Sequence, residues 1–143
     1  AREMLARAIA DQSALKKLAQ FVEAQGGDAK AVSHPEILPA ASMVVPVCAD
    51  TDGYIAQIAC EDIGICSLLL GGGRETKESS IDLSVGIVLE KKKGDYVKAG
   101  EVLGYLHANE EKRLEAAIDK FRNAYRISAE KPDAEPLIKG IVE

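Results

Sequence analysis

The chain has 143 residues, which is room for one compact domain and an appendage. Its residues are 47% hydrophobic and 29% charged, as in ordinary globular proteins, and no apolar run approaches the roughly 20 residues that span a bilayer. The net charge is −5 and aromatic residues make up 4%, which argues against nucleic-acid binding through a basic surface or base stacking. We therefore expect neither a nucleic-acid nor a membrane partner.

The three cysteines are Cys48, Cys60 and Cys66. Their odd number and irregular spacing fit neither a disulfide framework nor a zinc site, so we expect reduced, buried thiols. No secretory leader is visible, and we predict a cytoplasmic location. The chain opens with Ala1 inside a helical pattern and without an initiator Met. Either a Met or tag was removed, or the chain is a piece of something longer.

The N-terminal part is predicted to be helical over residues 1–25. Two apolar stripes at helical spacing are interrupted near Asp11, and Ser13 is the expected N-cap of the second helix. Gly26-Gly27 should end that helix. Residues 28–42 contain two prolines and are predicted to be a linker without secondary structure.

From residue 43 the pattern changes to short strands. The run 43–49 is strand-like, and the Asp52-Gly53 turn predicts a hairpin with a second strand over 54–60. A short helix is predicted over 63–70, with Glu61 and Asp62 at its positive N-terminal end.

The remaining elements alternate with glycine-marked turns. We predict a helix over 110–123 capped by Asn109, with Leu114, Ala117, Ile118 and Phe121 as its core stripe. Strands are predicted over 84–90, 96–97, 102–106 and 125–128. Residues 43–128 are thus predicted to be an α+β domain, and residues 129–143 a C-terminal tail in which 137–142 is too short to classify.

The segment from Gly94 to Leu103 has the form G-D-x-V-x-x-G-x-x-L. It resembles the turn of lipoyl and biotinyl carrier domains, which implies a hammerhead or barrel-sandwich fold. A carrier also needs a lysine at the tip of the following hairpin, where this sequence has Glu110. The resemblance therefore favours the fold element and argues against the swinging-arm function.

A glycine run, Gly71-Gly72-Gly73, stands beside Arg74 and Lys77. Read alone, it indicates either an anion-binding loop or a flexible loop after a helix end. It is not a P-loop, because no Gly-Lys-Ser/Thr follows and the glycines end a helix instead of beginning one.

Many spaced positions together resemble the C-terminal domain of the pyrimidine-nucleoside phosphorylases, which include thymidine phosphorylase. The similarity runs from about Leu5 to Ser128. Three positions depart from the usual pattern: Gly72 replaces an Ala, and Ser79-Ser80 replace Asp-Pro, which should loosen the loop. The segments that carry the resemblance are Gly71-Gly72-Gly73-Arg74, Lys77-Glu78, Ile81-Asp82, Val85-Gly86-Ile87, Lys93-Gly94-Asp95, Gly100-Glu101 and His107-Ala108-Asn109.

The resemblance implies a parent enzyme that cleaves uridine or thymidine with inorganic phosphate, giving a free base and a (deoxy)ribose 1-phosphate. It implies that residues 1–42 are the helical end of a main α/β domain plus a linker, and that 43–128 are a hammerhead C-terminal domain. The family's phosphate and base motifs are absent from this sequence. We therefore expect no catalytic, substrate-binding or metal residue here, no cofactor in this segment, and no activity of the segment alone.

The expected partners are the missing N-terminal portion of the parent and, for the parent, a second copy in a homodimer. We predict that Gly71, Gly72, Gly73, Arg74 and Lys77 belong to a loop that closes near the interdomain cleft. The alternative function is a stand-alone hammerhead binding module related to carrier domains. Of the two histidines, His34 is expected at the surface and His107 in a hydrogen-bonded structural role.

Overall fold

The computed structural model describes residues 1–136 and 138–142. Helices and antiparallel sheets occur together, which confirms the α+β class. The chain divides into two compact units, Ala1–Ala40 and Ala41–Glu143. The elements are α1 (Arg2–Ala10), α2 (Ser13–Ala24), α3 (Lys30–Ser33), a 3₁₀ turn (Pro35–Ile37), β1 (Met43–Cys48), β2 (Gly53–Ile58), α4 (Cys60–Ser67), a π-turn (Leu68–Gly72), β3 (Gly86–Leu89), β4 (Tyr96–Val97), β5 (Val102–Ala108), α5 (Glu111–Ala124) and β6 (Tyr125–Ser128).

The first unit begins with the two predicted helices, and the break between them is confirmed. The predicted cap is wrong. Ser13 is the first residue of α2, and its backbone N–H donates to Asp11 Oδ1 at 2.9 Å, so the carboxylate of Asp11 satisfies the free donor at the helix start.

Gly26 and Gly27 end α2 as predicted. Gly26 has φ +81°, and its N–H donates to the carbonyl of Glu23, while the N–H of Gly27 donates to the carbonyl of Val22. This is the Schellman arrangement, in which a left-handed residue just after the helix turns two amides back onto the last carbonyls.

The prediction that residues 28–42 lack secondary structure is wrong. They contain the one-turn helix α3 and a 3₁₀ turn at Pro35–Ile37. The N–H of Lys30 donates to Asp28 Oδ1 at 2.9 Å, which starts α3 in the way that Asp11 starts α2. No residue of the first unit is buried.

The second unit holds two three-stranded antiparallel sheets, ordered β1–β5–β3 and β4–β2–β6. The predicted hairpin of β1 with β2 is therefore wrong. After β1, Ala49 exchanges backbone hydrogen bonds with Gly100 and Glu101, and Asp52 Oδ1 accepts from the N–H of Ala99 at 2.7 Å. These bonds tie the end of β1 to the turn that leads into β5, so the chain passes at Gly53 into the other sheet.

One core fills this unit, and its members come from both sheets and both longer helices. Leu106 of β5 pairs with Val45 of β1 and Ile87 of β3. The α5 stripe is confirmed, since Leu114, Ala117 and Phe121 are buried and Ile118 is half-buried. The buried residues are Val47, Ala49, Ile55, Cys66, Leu70, Val97, Leu103, Leu106, Ala108, Leu114, Ala117, Phe121, Ala124 and Tyr125.

The helix predicted over 63–70 starts earlier, at Cys60, and continues into the π-turn Leu68–Gly72. Its N-terminal end is held to the end of α5, because the N–H of Ala59 donates to the carbonyl of Ala124 at 2.8 Å. α5 passes directly into β6 at Tyr125, whose hydroxyl donates to the carbonyl of Lys91 at 3.2 Å.

The expectation of buried thiols holds for one cysteine of three. Cys66 is fully buried, Cys48 is half-buried and Cys60 is exposed; all three are free. Burial raises the pKa of the Cys66 thiol from 9.0 to about 11.

The predicted tail, residues 129–143, includes positions 137 and 143, which lie outside the described residues. In its described part, Lys93 and Glu135 form an ion pair that joins residue 135 to the turn before β4. Across the described residues, no helix combines the length and apolarity that crossing a membrane requires.

Candidate functional site

The glycine run closes the base of a surface loop. Gly71 has φ +102°, a conformation that favours glycine, and its carbonyl accepts from the N–H of Asp82 at 3.0 Å. Residues 72–81 therefore leave the body of the second unit and return to the same point, as in an Ω-loop.

Gly72 and Gly73 pack closely against the end of α4. A Cβ on Gly72 would lie 2.9 Å from Ser67 Oγ, and a Cβ on Gly73 would lie 2.9 Å from Leu68 Cδ1. These two glycines thus serve close backbone packing. Within residues 74–80 the described hydrogen bonds join only Thr76 and Ser79, and the looseness expected of the loop stays a prediction.

The structure separates the predicted loop residues into two groups. Gly71 and Gly73 line a cavity of about 220 Å³ at the loop base, together with residues that precede and begin α5. Arg74 and Lys77 are exposed outside it, and within the described part of the chain neither forms an ion pair.

Arg113 is the cationic residue at this cavity, and the sequence analysis did not identify it. Its Nε donates to Glu110 Oε2 at 3.1 Å, one guanidinium nitrogen donates to the carbonyl of Leu69 at 3.4 Å, and the same nitrogen lies 3.9 Å from Glu75 Oε1. The i, i+3 spacing of Glu110 and Arg113 was a local signal for an ion pair between them. The position of Arg113 opposite Leu69, however, depends on the packing of α5 against the π-turn.

The cavity has a surplus of negative charge. Glu75, Asp82 and Glu110 line it with Arg113, which gives three carboxylates against one guanidinium. Hydrogen bonds from the Ser84 hydroxyl and N–H, and then from Asn109, lower the pKa of Asp82, so this carboxylate is ionised at neutral pH. The cavity lining therefore does not favour phosphate, and the free cations lie on the exposed loop.

Asn109 does not cap α5, contrary to the prediction. Glu110 precedes the first helical residue, and the Asn109 side chain lies in a separate hydrogen-bond network. Its Oδ1 accepts from the N–H of Ser42 at 2.7 Å, and its Nδ2 donates to Asp82 Oδ2 at 2.7 Å and to Ser84 Oγ at 2.8 Å. Asn109 therefore bonds to residues distant in the sequence and not to the start of α5, which its spacing had indicated as its partner.

The two histidines and Glu110 are the remaining candidate residues. His34 is exposed, as expected, with Nδ1 3.0 Å from Glu36 Oε1. His107 lies in β5 opposite Val44 and Gly86, and within the described chain its side chain makes none of the hydrogen bonds that we expected. Glu110, which the carrier pattern puts at the position of the carrier lysine, is followed directly by α5 and not by a second hairpin strand.

The sequence of this chain is similar to those of known proteins. Residues 54–128 match the family described as the pyrimidine nucleoside phosphorylase C-terminal domain. The chain is 45% identical over 130 residues, or 91% of its length, to the pyrimidine-nucleoside phosphorylase of Staphylococcus haemolyticus, covering 30% of that protein. It is 44% identical over 138 residues, or 96% of its length, to the corresponding protein of Geobacillus stearothermophilus, covering 32% of it. The chain thus spans about a third of the length of these relatives.

Proposed function

This chain belongs to the pyrimidine nucleoside phosphorylase C-terminal domain family, and from that premise we propose that it acts as the C-terminal part of a pyrimidine-nucleoside phosphorylase. In the proposed reaction, inorganic phosphate attacks C1′ of uridine or thymidine. The bond between C1′ and the base nitrogen breaks, giving free base and (deoxy)ribose 1-phosphate. The observation that carries the proposal is the match over residues 54–128.

The role proposed for this segment is scaffolding. Residues 1–42 would be the helical end of a main α/β domain plus a linker, 43–128 a hammerhead domain, and 129–143 a tail. The exposed apolar stripes of the first unit support the assignment of residues 1–42 to the helical end of a larger domain, because such stripes require a covering surface. Two small antiparallel sheets around one core support the second. The proposal extends to a cytoplasmic, homodimeric parent.

We further propose that the segment alone has no phosphorolytic activity and holds no cofactor. Phosphorolysis, which transfers the pentosyl group from the base to phosphate, needs cations and donors placed around the attacking oxygen and the leaving base. The one cavity-lining cation described above, Arg113, is already engaged by Glu110 and the Leu69 carbonyl.

The activity proposal is tested by comparing this 143-residue chain with the longer protein of which we propose it is a part. We expect phosphate-dependent release of uracil or thymine from the longer protein and none from the chain. A longer protein inactive on both nucleosides, or an active chain, would contradict the proposal. A lysine mass shift for biotin or lipoate would support the alternative, a carrier-like binding module.

The exposed part of the loop, residues 74–80, is proposed to order over the substrates when the parent's domains close. The support is its pair of cations without ion-pair partners in the described chain, Arg74 and Lys77, on a loop whose two ends meet. Ile81 and Leu83 beside it are 41% and 79% exposed, which leaves apolar surface for a closing body to cover.

The double substitution Arg74→Ala with Lys77→Ala should lower turnover of the full-length enzyme about tenfold without lowering its Tm. The matched control is Lys98→Ala with Arg126→Ala, which removes two exposed cations elsewhere on the second unit. Unchanged turnover in the first variant, or an equal loss in the control, would remove the closure proposal.

A further inference from the structure

The Asn109 side chain is exposed, yet it uses every hydrogen-bonding group that a primary amide offers. Its oxygen accepts from Ser42, and its two amide hydrogens are donated to Asp82 and Ser84. An exposed side chain held by three partners at 2.7–2.8 Å is fixed in one rotamer, which costs conformational entropy that water contacts would not require.

The partners of Asn109 lie far from it in the sequence but all at one place in the second unit. Ser42 immediately precedes β1 and is 67 residues away, whereas Asp82 and Ser84 end the Ω-loop and are 27 and 25 residues away. Asn109 itself follows the last residue of β5. The amide thus joins the loop's C-terminal end to the ends of two paired strands.

Asp82 connects this junction to the other end of the loop. Its carboxylate accepts from the Asn109 amide and from the N–H and hydroxyl of Ser84, at 2.6–2.9 Å, while its own N–H donates to the carbonyl of Gly71. Both ends of the segment 72–81 are therefore held at one point, whereas the described hydrogen bonds within residues 74–80 join only Thr76 and Ser79.

We propose that Asn109, acting through Asp82, is a positioning residue that sets the path of the loop carrying Arg74 and Lys77. Its role in turnover rests on the proposed function, whereas its control of the loop does not. With the anchor intact, closure orders only residues 74–80. When the hydrogen bonds from Asn109 are removed, closure must order the base of the loop as well as residues 74–80. The closed state is then less populated, and the apparent affinity for substrate falls.

The first test is hydrogen exchange of the full-length protein, measured on peptides that span residues 71–85. Asn109→Ala should speed exchange in these peptides about tenfold, because it removes the donor to Asp82. The matched control, Asn123→Ala, changes the other asparagine of the chain, which is exposed in the last turn of α5. Unchanged exchange after Asn109→Ala would overturn the proposal, whether or not the protein is a phosphorylase.

The second test exchanges the partners. Asn109→Asp alone sets two carboxylates against each other and should loosen the loop, whereas the double variant Asp82→Asn with Asn109→Asp places an amide on the loop and a carboxylate after β5, which restores a donor–acceptor pair. We expect kcat/KM to fall about fivefold in Asn109→Asp and to recover in the double variant.

The two proposals fail in different ways. A wild-type protein inactive on uridine and thymidine contradicts the proposed function, and the exchange measurement still decides the anchor. If the wild-type protein is active and Asn109→Asp lowers Tm but leaves kcat/KM and hydrogen exchange of the loop unchanged, the contact is merely structural. That result overturns the positioning role of Asn109.

Discussion

The helices α2 and α5 both carry an apolar stripe, but only α5 has buried residues. Phe121 of α5 is fully buried, with its ring 5.1 Å from that of Tyr125, whereas Phe21 of α2 is 61% exposed. An apolar stripe is a property of the sequence, but its contribution to stability depends on a surface that covers it. α5 has such a surface in β5 and α4, whereas among the described residues of α2 none is buried.

The two phenylalanines of the chain give the sharpest test of this difference. Phe121→Ala should lower the free energy of unfolding by about 3–5 kcal/mol, because it leaves a cavity in a closed core. Phe21→Ala should change it by less than about 0.5 kcal/mol. Urea unfolding followed by tyrosine fluorescence reports on the second unit, where all four tyrosines lie. Equal shifts of the urea midpoint in Phe121→Ala and Phe21→Ala would contradict the proposed difference in burial between α5 and α2.

A smaller effect is expected at Gly104, which lets Phe121 approach β5. A Cβ there would lie 2.6 Å from the Val88 carbonyl oxygen and 2.8 Å from Phe121 Cζ. Gly104→Ala should therefore cost about 1–3 kcal/mol of unfolding free energy. Gly86→Ala on the neighbouring strand is the control, and it should be close to neutral in the same urea titration. Apart from Gly86 and its two chain neighbours, no described residue has a heavy atom within 4 Å of the Cβ that the substitution adds.

Alkaline pH should weaken the second unit through Cys66. Its pKa is raised from 9.0 to about 11, so between these values the folded chain keeps a proton that the unfolded chain loses. The free energy of unfolding should therefore be unaffected below pH 9 and fall as pH rises from 9 towards 11. Cys66→Ala should flatten this slope between pH 9 and pH 10, whereas Cys60→Ala, at an exposed position, should leave it unchanged. Above pH 10 the Tyr125 hydroxyl, whose pKa burial raises from 10.0 to about 12, adds a loss of the same sign. A slope that persists in Cys66→Ala would assign it to another group.

The smallest effect is local to the first unit, where no core compensates for the loss of a cap. Asp11→Ala removes the acceptor for the Ser13 N–H and should reduce the helicity of residues 13–24 by a modest fraction, read from NMR Cα shifts. Asp119→Ala, on the exposed side of α5, is the matched control and should leave helicity unchanged. A loss that spreads to the second unit would show that the two units unfold together.

Much of the fold could be predicted because local signals agree with the tertiary result. The glycine pair after α2 ends that helix through its own backbone, and the apolar stripe of α5 faces the core. Both could be predicted because neither depends on which distant strand lies nearby. The prediction of a hairpin at Asp52-Gly53 was wrong because turn residues specify a chain reversal but not which strands pair. Hydrogen bonds to the turn at residues 98–101 hold the end of β1 beside β5.

The candidate site was predictable only in part. The sequence located the glycine run and the cations beside it, but it did not indicate that Arg113 lies at the cavity or that Gly72 and Gly73 are packed. Asn109 shows why. Its spacing before a helix indicates a cap, but an amide takes whichever partners are best placed, and Ser42, Asp82 and Ser84 become neighbours only after the sheets form.

By itself, the sequence determined the α+β class, most helix and strand positions, the core stripe of α5 and the family resemblance that the comparisons bear out. These depend on side-chain periodicity and backbone preferences that act within a few residues. Three further features became evident only in the folded chain: the pairing of β1 with β5, the exposure of Cys60 and the junction at Asn109. Each of these depends on contacts between residues distant in the chain, and local preferences do not specify which of several compatible partners will be adjacent.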